Sequence, residues 1–115
     1  MIIRGEVIRG AQLGRKMGFP TANIAAQHLT DIENGVYASK VRFSGHEYNA
    51  MSNIGMRPSV DGTTRLLETH LFGFEGDLYG REIEVHLLRK IRDERRFASI
   101  DELRQQLERD AEECR

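Results

Sequence analysis

Residues 14–23, GRKMGFPTAN, combine a glycine-bracketed turn with two adjacent bases. Gly14 and Gly18 permit positive φ angles and leave backbone amides bare, while Arg15 and Lys16 add positive charge. Such a loop can cradle an anion. It is not a Walker loop, because the glycine-lysine-serine/threonine ending is missing.

Two neutral oxygen ligands follow at a spacing of two residues, in Thr21 and Asn23. Pro20 favours an extended backbone before it, and residues two apart in a strand project to the same side. Hydroxyl and amide oxygens suit Mg²⁺ when phosphates supply the negative charge and water completes the coordination. The alternative is an ordinary turn in which Thr21 and Asn23 bond to backbone groups.

The segment LLETHLFGF places Glu68 and His70 on one face of a predicted strand. A carboxylate held in the mouth of a small barrel could act as a general base towards a hydroxyl. The alternative is a solvent-facing pair on an outer strand. Histidines occur at positions 28, 46, 70 and 86 without paired metal-ligand spacing, so a zinc site is not predicted.

A third candidate is the basic run RKIRDERRFAS, at residues 89–99. Runs of this kind are usually solvated surfaces. Phe97 interrupts the charges, however, and could form a lid that combines an aromatic contact with cationic ones.

These candidate residues must be positioned by secondary structure. Most of the chain has the two-residue period of short β-strands. In GVYASKVRF, residues 36, 38 and 40 alternate with residues 37, 39 and 41, and β-branched and aromatic residues are common. EYNAMSNIG, after the turn SGH, is a hairpin partner, and IIRGEVIRG, RLLETHLFGF and REIEVHLLRKI are further strands. Successive strands without intervening helices predict an antiparallel barrel or sandwich.

The last residues change to a helical period. Ile100, Leu103, Leu107 and Ala111 recur on one face, and Ser99 with Glu102 forms a capping-box pattern, so a helix should begin near Ile100. Its apolar stripe is expected to pack on the outer wall of the barrel.

Composition limits the function classes. The 115 residues predict one domain, with 17 basic and 18 acidic side chains and a formal net charge of −1, so general electrostatic binding of nucleic acid is not indicated. One cysteine suits a reducing compartment, and no segment is apolar enough to anchor in a membrane. A cytoplasmic domain with no nucleic-acid or membrane partner is therefore expected.

Taken together, the motifs resemble the riboflavin kinase family, which phosphorylates riboflavin to flavin mononucleotide (FMN). Five segments carry the resemblance in order along almost the whole chain: GRKMGFPTANI, NGVYA, NIGMRPSVDG, LETHLFGFEGDLYG and IRDERRFASIDEL. The family's fold is a six-stranded antiparallel Greek-key barrel with a C-terminal helix packed outside, which agrees with the strand-then-helix pattern.

The resemblance implies roles for individual residues. Glu68 matches the catalytic base, and Thr21 and Asn23 match the magnesium ligands. Positions that match the site for ATP or ADP are Gly10, Gly14, Lys16, Gly18, Thr21, Asn23, Leu71, Gly73 and Tyr79. Arg92, Arg95 and Phe97 match the flavin-binding segment, although position 95 is lysine in some members.

Two other functions stay open at this point. A flavin- or nucleotide-binding sensor would keep the pocket without turnover, but would not need a base such as Glu68. A small barrel that binds single strands should show a basic groove with exposed aromatics, and the chain has only eight aromatic residues. Family modules often follow an adenylyltransferase module in a longer chain, and nothing in these residues resembles that module.

Overall fold

The computed structural model describes residues 1–9, 18–59 and 61–115. Within these ranges, six strands and one helix make up the regular structure. They are β1 (Ile2–Glu6), β2 (Ala22–Ala25), β3 (Gly35–Phe43), β4 (His46–Ser59), β5 (Gly62–Leu71), β6 (Glu82–Arg92) and α1 (Ile100–Cys114).

The strands form one sheet in the order β1-β6-β3-β4-β5-β2, and every neighbouring pair is antiparallel. Strands β3, β4 and β5 follow one another, and β6 returns beside β3, which is the Greek-key arrangement. The two edges meet where Ile8 N donates to Asn23 O at 2.8 Å. The predicted antiparallel barrel is confirmed and is nearly closed.

The barrel interior is apolar, with one polar feature. Val41, Ile54, Leu67 and Val85 are fully buried there. The hydroxyls of three further buried side chains form a ladder across β3, β4 and β5, with 2.7 Å between Ser39 and Ser52 and 2.9 Å between Ser52 and Thr69. The ladder satisfies groups that would otherwise be costly to bury.

The opposite face of β3 and β4 carries a second apolar cluster, which α1 covers. Val36, Ala38 and Met51 pack there against Ala111 and Cys114. The predicted alternation along β3 is thus confirmed, because its two faces belong to different clusters.

The helix begins at Ile100, as predicted, and Ser99 caps it by accepting from Glu102 N at 3.2 Å. Its apolar stripe packs on the barrel wall through Leu107 and Ala111. Ile100 was assigned to the stripe but is 62% exposed, since the stripe meets the sheet only further along the helix. No helix in the described ranges is long and apolar enough to cross a membrane.

Candidate functional site

A row of paired residues crosses the outer face of the sheet and joins all three sequence candidates. Asn23 on β2 pairs with Glu68 on β5, and Glu68 pairs with Asn53 on β4. Asn53 then pairs with Val36, which pairs with Arg92 at the end of β6. Directly opposed residues in antiparallel strands have Cβ atoms about 5 Å apart. The sheet therefore brings the predicted metal ligand Asn23 beside the predicted base.

Asn23 and Asn53 each bury an oxygen without using it. Asn23 is 3% exposed, and its Oδ1 has no hydrogen-bond partner within the described residues. Asn53 Oδ1 is likewise buried and has no hydrogen-bond partner within the described residues. Because a buried amide oxygen without a partner is costly, such oxygens are candidate ligand positions.

Glu68 lies on the outer face of β5, not inside the barrel mouth, while Leu67 and Leu71 fill the interior. It is not a freely solvated surface residue either. Its side chain is 17% exposed and accepts a hydrogen bond from Arg57 Nε at 2.7 Å. Arg57 Nη1 also donates to Glu94 at 3.0 Å. We call these three residues the Arg57 cluster.

The charges of the cluster affect its arginine. Burial by itself would lower the pKa of Arg57, but the negative charges and hydrogen bonds of Glu68 and Glu94 outweigh that effect and raise it. Arg57 therefore stays charged next to the predicted base.

His70 connects the same strand to the FPTAN segment. Its Nδ1 donates to the carbonyl oxygen of Pro20 at 2.8 Å, and its ring meets those of Phe19 and Phe72 edge-on. The hydrogen bond fixes the backbone immediately before Thr21. His70 therefore acts on the position of the backbone that leads into the candidate ligand Thr21.

A cavity of about 310 Å³ lies on the other side of Asn23. Four positions that the resemblance assigned to the nucleotide line it: Thr21, Asn23, Leu71 and Tyr79. Gly18 and Gly73 do not line it, although both have the positive φ angles that loops of this kind require, 85° and 78°. Glu68 also lies outside the cavity, across Asn23 from it.

The wall of this cavity contains residues that the motifs did not single out. Arg9 places its guanidinium 4.2 Å from the centre of the Tyr79 ring. Asp77 Oδ1 accepts from Tyr79 N at 2.8 Å and so fixes the turn that presents the ring. A guanidinium stacked on an exposed aromatic ring suits a planar or anionic ligand. Only the family resemblance of the DLYG turn pointed to this wall.

The flavin-segment residues differ in what they contact. Arg92 donates through Nε and Nη2 to Asp110, which is only 2% exposed, so its guanidinium joins β6 to α1. Arg95 stacks on Phe97, with 4.8 Å between the guanidinium carbon and the ring centre. Phe97 is half-buried and also lies 5.8 Å from Arg92. The cationic and aromatic side chains of this segment therefore contact each other, and the lid itself stays a prediction.

Three predicted nucleotide-binding residues, Gly10, Gly14 and Lys16, lie outside the described residues. Of the residues that sequence reasoning missed, Arg57 and Glu94 are the most informative. Both lie within segments that carried the resemblance, but spacing along the chain could not show that β4 and the 93–97 segment meet beside Glu68. The described residues hold no cluster of three histidine, cysteine or acidic side chains that could bind a metal alone.

Comparison with known proteins identifies the family. The family model described as riboflavin kinase matches residues 1–115. The chain belongs to the riboflavin kinase family. It is 48% identical over 111 residues to a bifunctional riboflavin kinase/FMN adenylyltransferase of Haemophilus influenzae, covering 96% of this chain and 36% of that protein.

Two further riboflavin kinases are similar to this chain over nearly all of its length. An RNA-binding riboflavin kinase of Bacillus subtilis is 44% identical over 110 residues, 95% of this chain and 47% of that protein. The crystal structure of riboflavin kinase from Trypanosoma brucei superposes with a TM-score of 0.70 at 27% identity, covering 98% of this chain and 76% of that one. The chain thus spans less than half the length of the two curated relatives.

Proposed function

We propose that this chain transfers the γ-phosphate of ATP to the primary hydroxyl of the ribityl chain of riboflavin, giving FMN and ADP. Membership of the riboflavin kinase family supports the reaction class. The observation that carries the assignment is the pairing of Glu68 with Asn23 across β5 and β2, at the edge of the cavity.

Glu68 acts as the general base in this proposal. Phosphoryl transfer requires mainly positioning and charge stabilisation. Glu68 accepts the proton of the ribityl hydroxyl as that oxygen forms its bond to phosphorus, while the bond from phosphorus to the β,γ-bridging oxygen breaks and ADP leaves. A base of this kind typically contributes about 10²- to 10⁴-fold.

Thr21 and Asn23 would hold Mg²⁺. Their side chains fit it, because the Asn23 amide oxygen is buried without a hydrogen-bond partner among the described residues, and both ligands are neutral. Bound there, the ion would neutralise charge on the phosphate oxygens. His70 contributes by holding the Pro20 carbonyl and with it the backbone that leads into Thr21.

The nucleotide would occupy the cavity, beside Leu71 and Tyr79. Residues proposed to enclose it from the loops are Gly10, Gly14, Lys16, Gly18 and Gly73. The flavin would meet the segment after β6, where Phe97 offers a half-buried ring and Arg95 a guanidinium stacked on it. Arg92 contributes by tying the start of this segment to Asp110.

Several coarser expectations belong to the same proposal. Residues 1–115 act as one kinase domain in the cytoplasm, where ATP is available, and do not bind nucleic acid or membranes. The bifunctional relative supports an adenylyltransferase module as a companion in a longer chain.

The test is detection of FMN by chromatography after the purified chain is incubated with riboflavin, ATP and Mg²⁺, with Glu68→Gln in parallel. We expect FMN from the wild type and little from the variant. FMN from both would retain the kinase and remove Glu68 as its base. Riboflavin binding without FMN from either protein would favour the sensor function. A shift assay with an oligonucleotide at low salt tests the absence of nucleic-acid binding.

A further inference from the structure

The Arg57 cluster connects two parts of the molecule that are far apart in the sequence. Arg57 on β4 donates one hydrogen bond to Glu68 on β5 and another to Glu94 in the segment between β6 and α1. A third, from Nη1 to the carbonyl of Met56 at 2.8 Å, helps fix the guanidinium. One planar, rigid guanidinium therefore sets the separation of two carboxylates.

The sheet is shaped to admit Glu94. Gly55 lies two residues before Arg57 on the same face of β4, and a Cβ at position 55 would overlap the carboxylate of Glu94. Glycine at this position lets the 93–97 segment reach the sheet surface beside Arg57. The contact thus depends on a backbone feature as well as on charge.

The charges of the cluster do not balance. Two carboxylates share one guanidinium, and the three side chains are only 17–30% exposed. At this burial the ion pairs are less screened than at an open surface. Displacing Glu94 therefore changes the contact that Arg57 makes with Glu68.

We propose that Arg57 is a positioning residue that orients Glu68 and couples it, through Glu94, to the segment that receives the flavin. The inference rests on the proposed function and deepens it. Arg57 does not touch the reacting atoms. It holds the base in one orientation, and the state of the 93–97 segment is transmitted to the base because Glu94 shares the same guanidinium.

Three variants test the coupling by different means. Arg57→Gln removes the shared guanidinium, Glu94→Gln removes one charge, and Gly55→Ala pushes the Glu94 carboxylate aside without changing its chemistry. The added methyl meets only the flexible end of Glu94, so Gly55→Ala should still fold. The control is Glu47→Gln, which removes the negative charge of another cross-strand pair, with Arg42, away from the site.

The readout is steady-state formation of FMN, with kcat and the KM for riboflavin measured separately. We expect each of the three variants to lower kcat by about 10- to 100-fold, as misplacement of a catalytic group by a fraction of an ångström to 1 Å does, with KM nearly unchanged. Glu47→Gln should match the wild type. Because both effects act through one guanidinium, the double variant Arg57→Gln/Glu94→Gln should be no worse than Arg57→Gln alone.

Other outcomes would overturn the inference. If the loss of folded protein in each variant, measured by circular dichroism, accounts for its whole loss of rate, the cluster is only structural. If KM rises while kcat stays at the wild-type value, Glu94 binds flavin directly and no coupling is needed. Wild-type activity in the three variants would also refute it. If the wild type itself forms no FMN, the proposed function fails first and the inference fails with it.

Discussion

Two arginines flank the segment that leads from the barrel to the helix, and their carboxylate partners differ. Arg92 meets a single acid, Asp110, through two nitrogens, and Gln106 donates a further hydrogen bond to the same carboxylate. Arg57 meets two acids, neither of which is as deeply buried as Asp110. The hydrogen bonds to Asp110 therefore come from two side chains and its charge is balanced by Arg92, whereas the Arg57 cluster has two carboxylates for one guanidinium and keeps an excess negative charge. The balanced Arg92–Asp110 pair suits a structural role. In the Arg57 cluster, the excess negative charge leaves a carboxylate available to accept a proton.

Glu68→Gln gives the largest effect on the reaction. The substitution keeps the size of the side chain and a hydrogen-bond acceptor for Arg57 but removes the proton acceptor, so turnover should fall by about 10²- to 10⁴-fold. The affinity for the nucleotide, measured by titration with Mg-ADP, should remain nearly that of the wild type. Near-normal turnover would show that another group is the base. The Arg57 cluster would then have no catalytic role to set against the structural role of the Arg92–Asp110 pair.

Asp110→Ala tests the structural role of the pair between Arg92 and Asp110. It leaves the Arg92 guanidinium, which is 16% exposed, without its acid. Removing one partner of a buried pair costs about 3–5 kcal/mol, so the free energy of unfolding in urea should fall by that order. The folded fraction should keep most of its turnover. A loss of turnover much greater than the loss of folded protein would show that Arg92 takes part in the reaction.

Replacing the candidate metal ligands should have an intermediate effect. Thr21→Ala and Asn23→Ala each remove a neutral oxygen that would face Mg²⁺ in the proposed site, which corresponds to roughly 10- to 100-fold in affinity. The expected loss concerns Mg²⁺-dependent binding of ADP, with little change when EDTA is present. If both variants titrate like the wild type, these side chains do not hold the ion.

The smallest effect concerns Cys114, which is buried where the end of α1 packs on the sheet. Burial and the nearby charge of Asp110 raise the pKa of the Cys114 thiol to about 11. The unfolded chain ionises near pH 9 and the folded one only near pH 11, so stability is full below pH 9 and declines as the pH rises through this window. The decline attributable to this thiol should be absent in Cys114→Ala. An identical pH dependence in both proteins would mean that the folded thiol ionises normally.

The periodicity of the sequence predicted five of the six strands and the start of the helix, because each depends on local patterns; the short strand β2 was not among them. Ser99 and Glu102 are three residues apart, and the cap they predict is present. The outward position of Glu68 was not predictable in the same way. Alternation along β5 shows that Glu68 and Leu67 face opposite sides, but only the closure of the sheet decides which side is the interior.

The Arg57 cluster was missed for a related physical reason. Its members lie at positions 57, 68 and 94, and their contact requires both the register of β4 with β5 and the path of the chain after β6. No spacing along the chain encodes that meeting. The metal and nucleotide assignments came from the family resemblance, and the catalytic roles remain predictions.

The seam of the barrel gives Asn23 a second significance. Among the described residues, the first and last strands of the sheet are joined through the backbone hydrogen bond from Ile8 to Asn23. A cation bound at Asn23 would therefore stabilise the contact between the two edge strands, β1 and β2, where few hydrogen bonds close the barrel in the described part of the chain. Ligand binding there should slow amide hydrogen exchange at Ile8 more than in the centre of β4, so that loading the site and closing the barrel become one event.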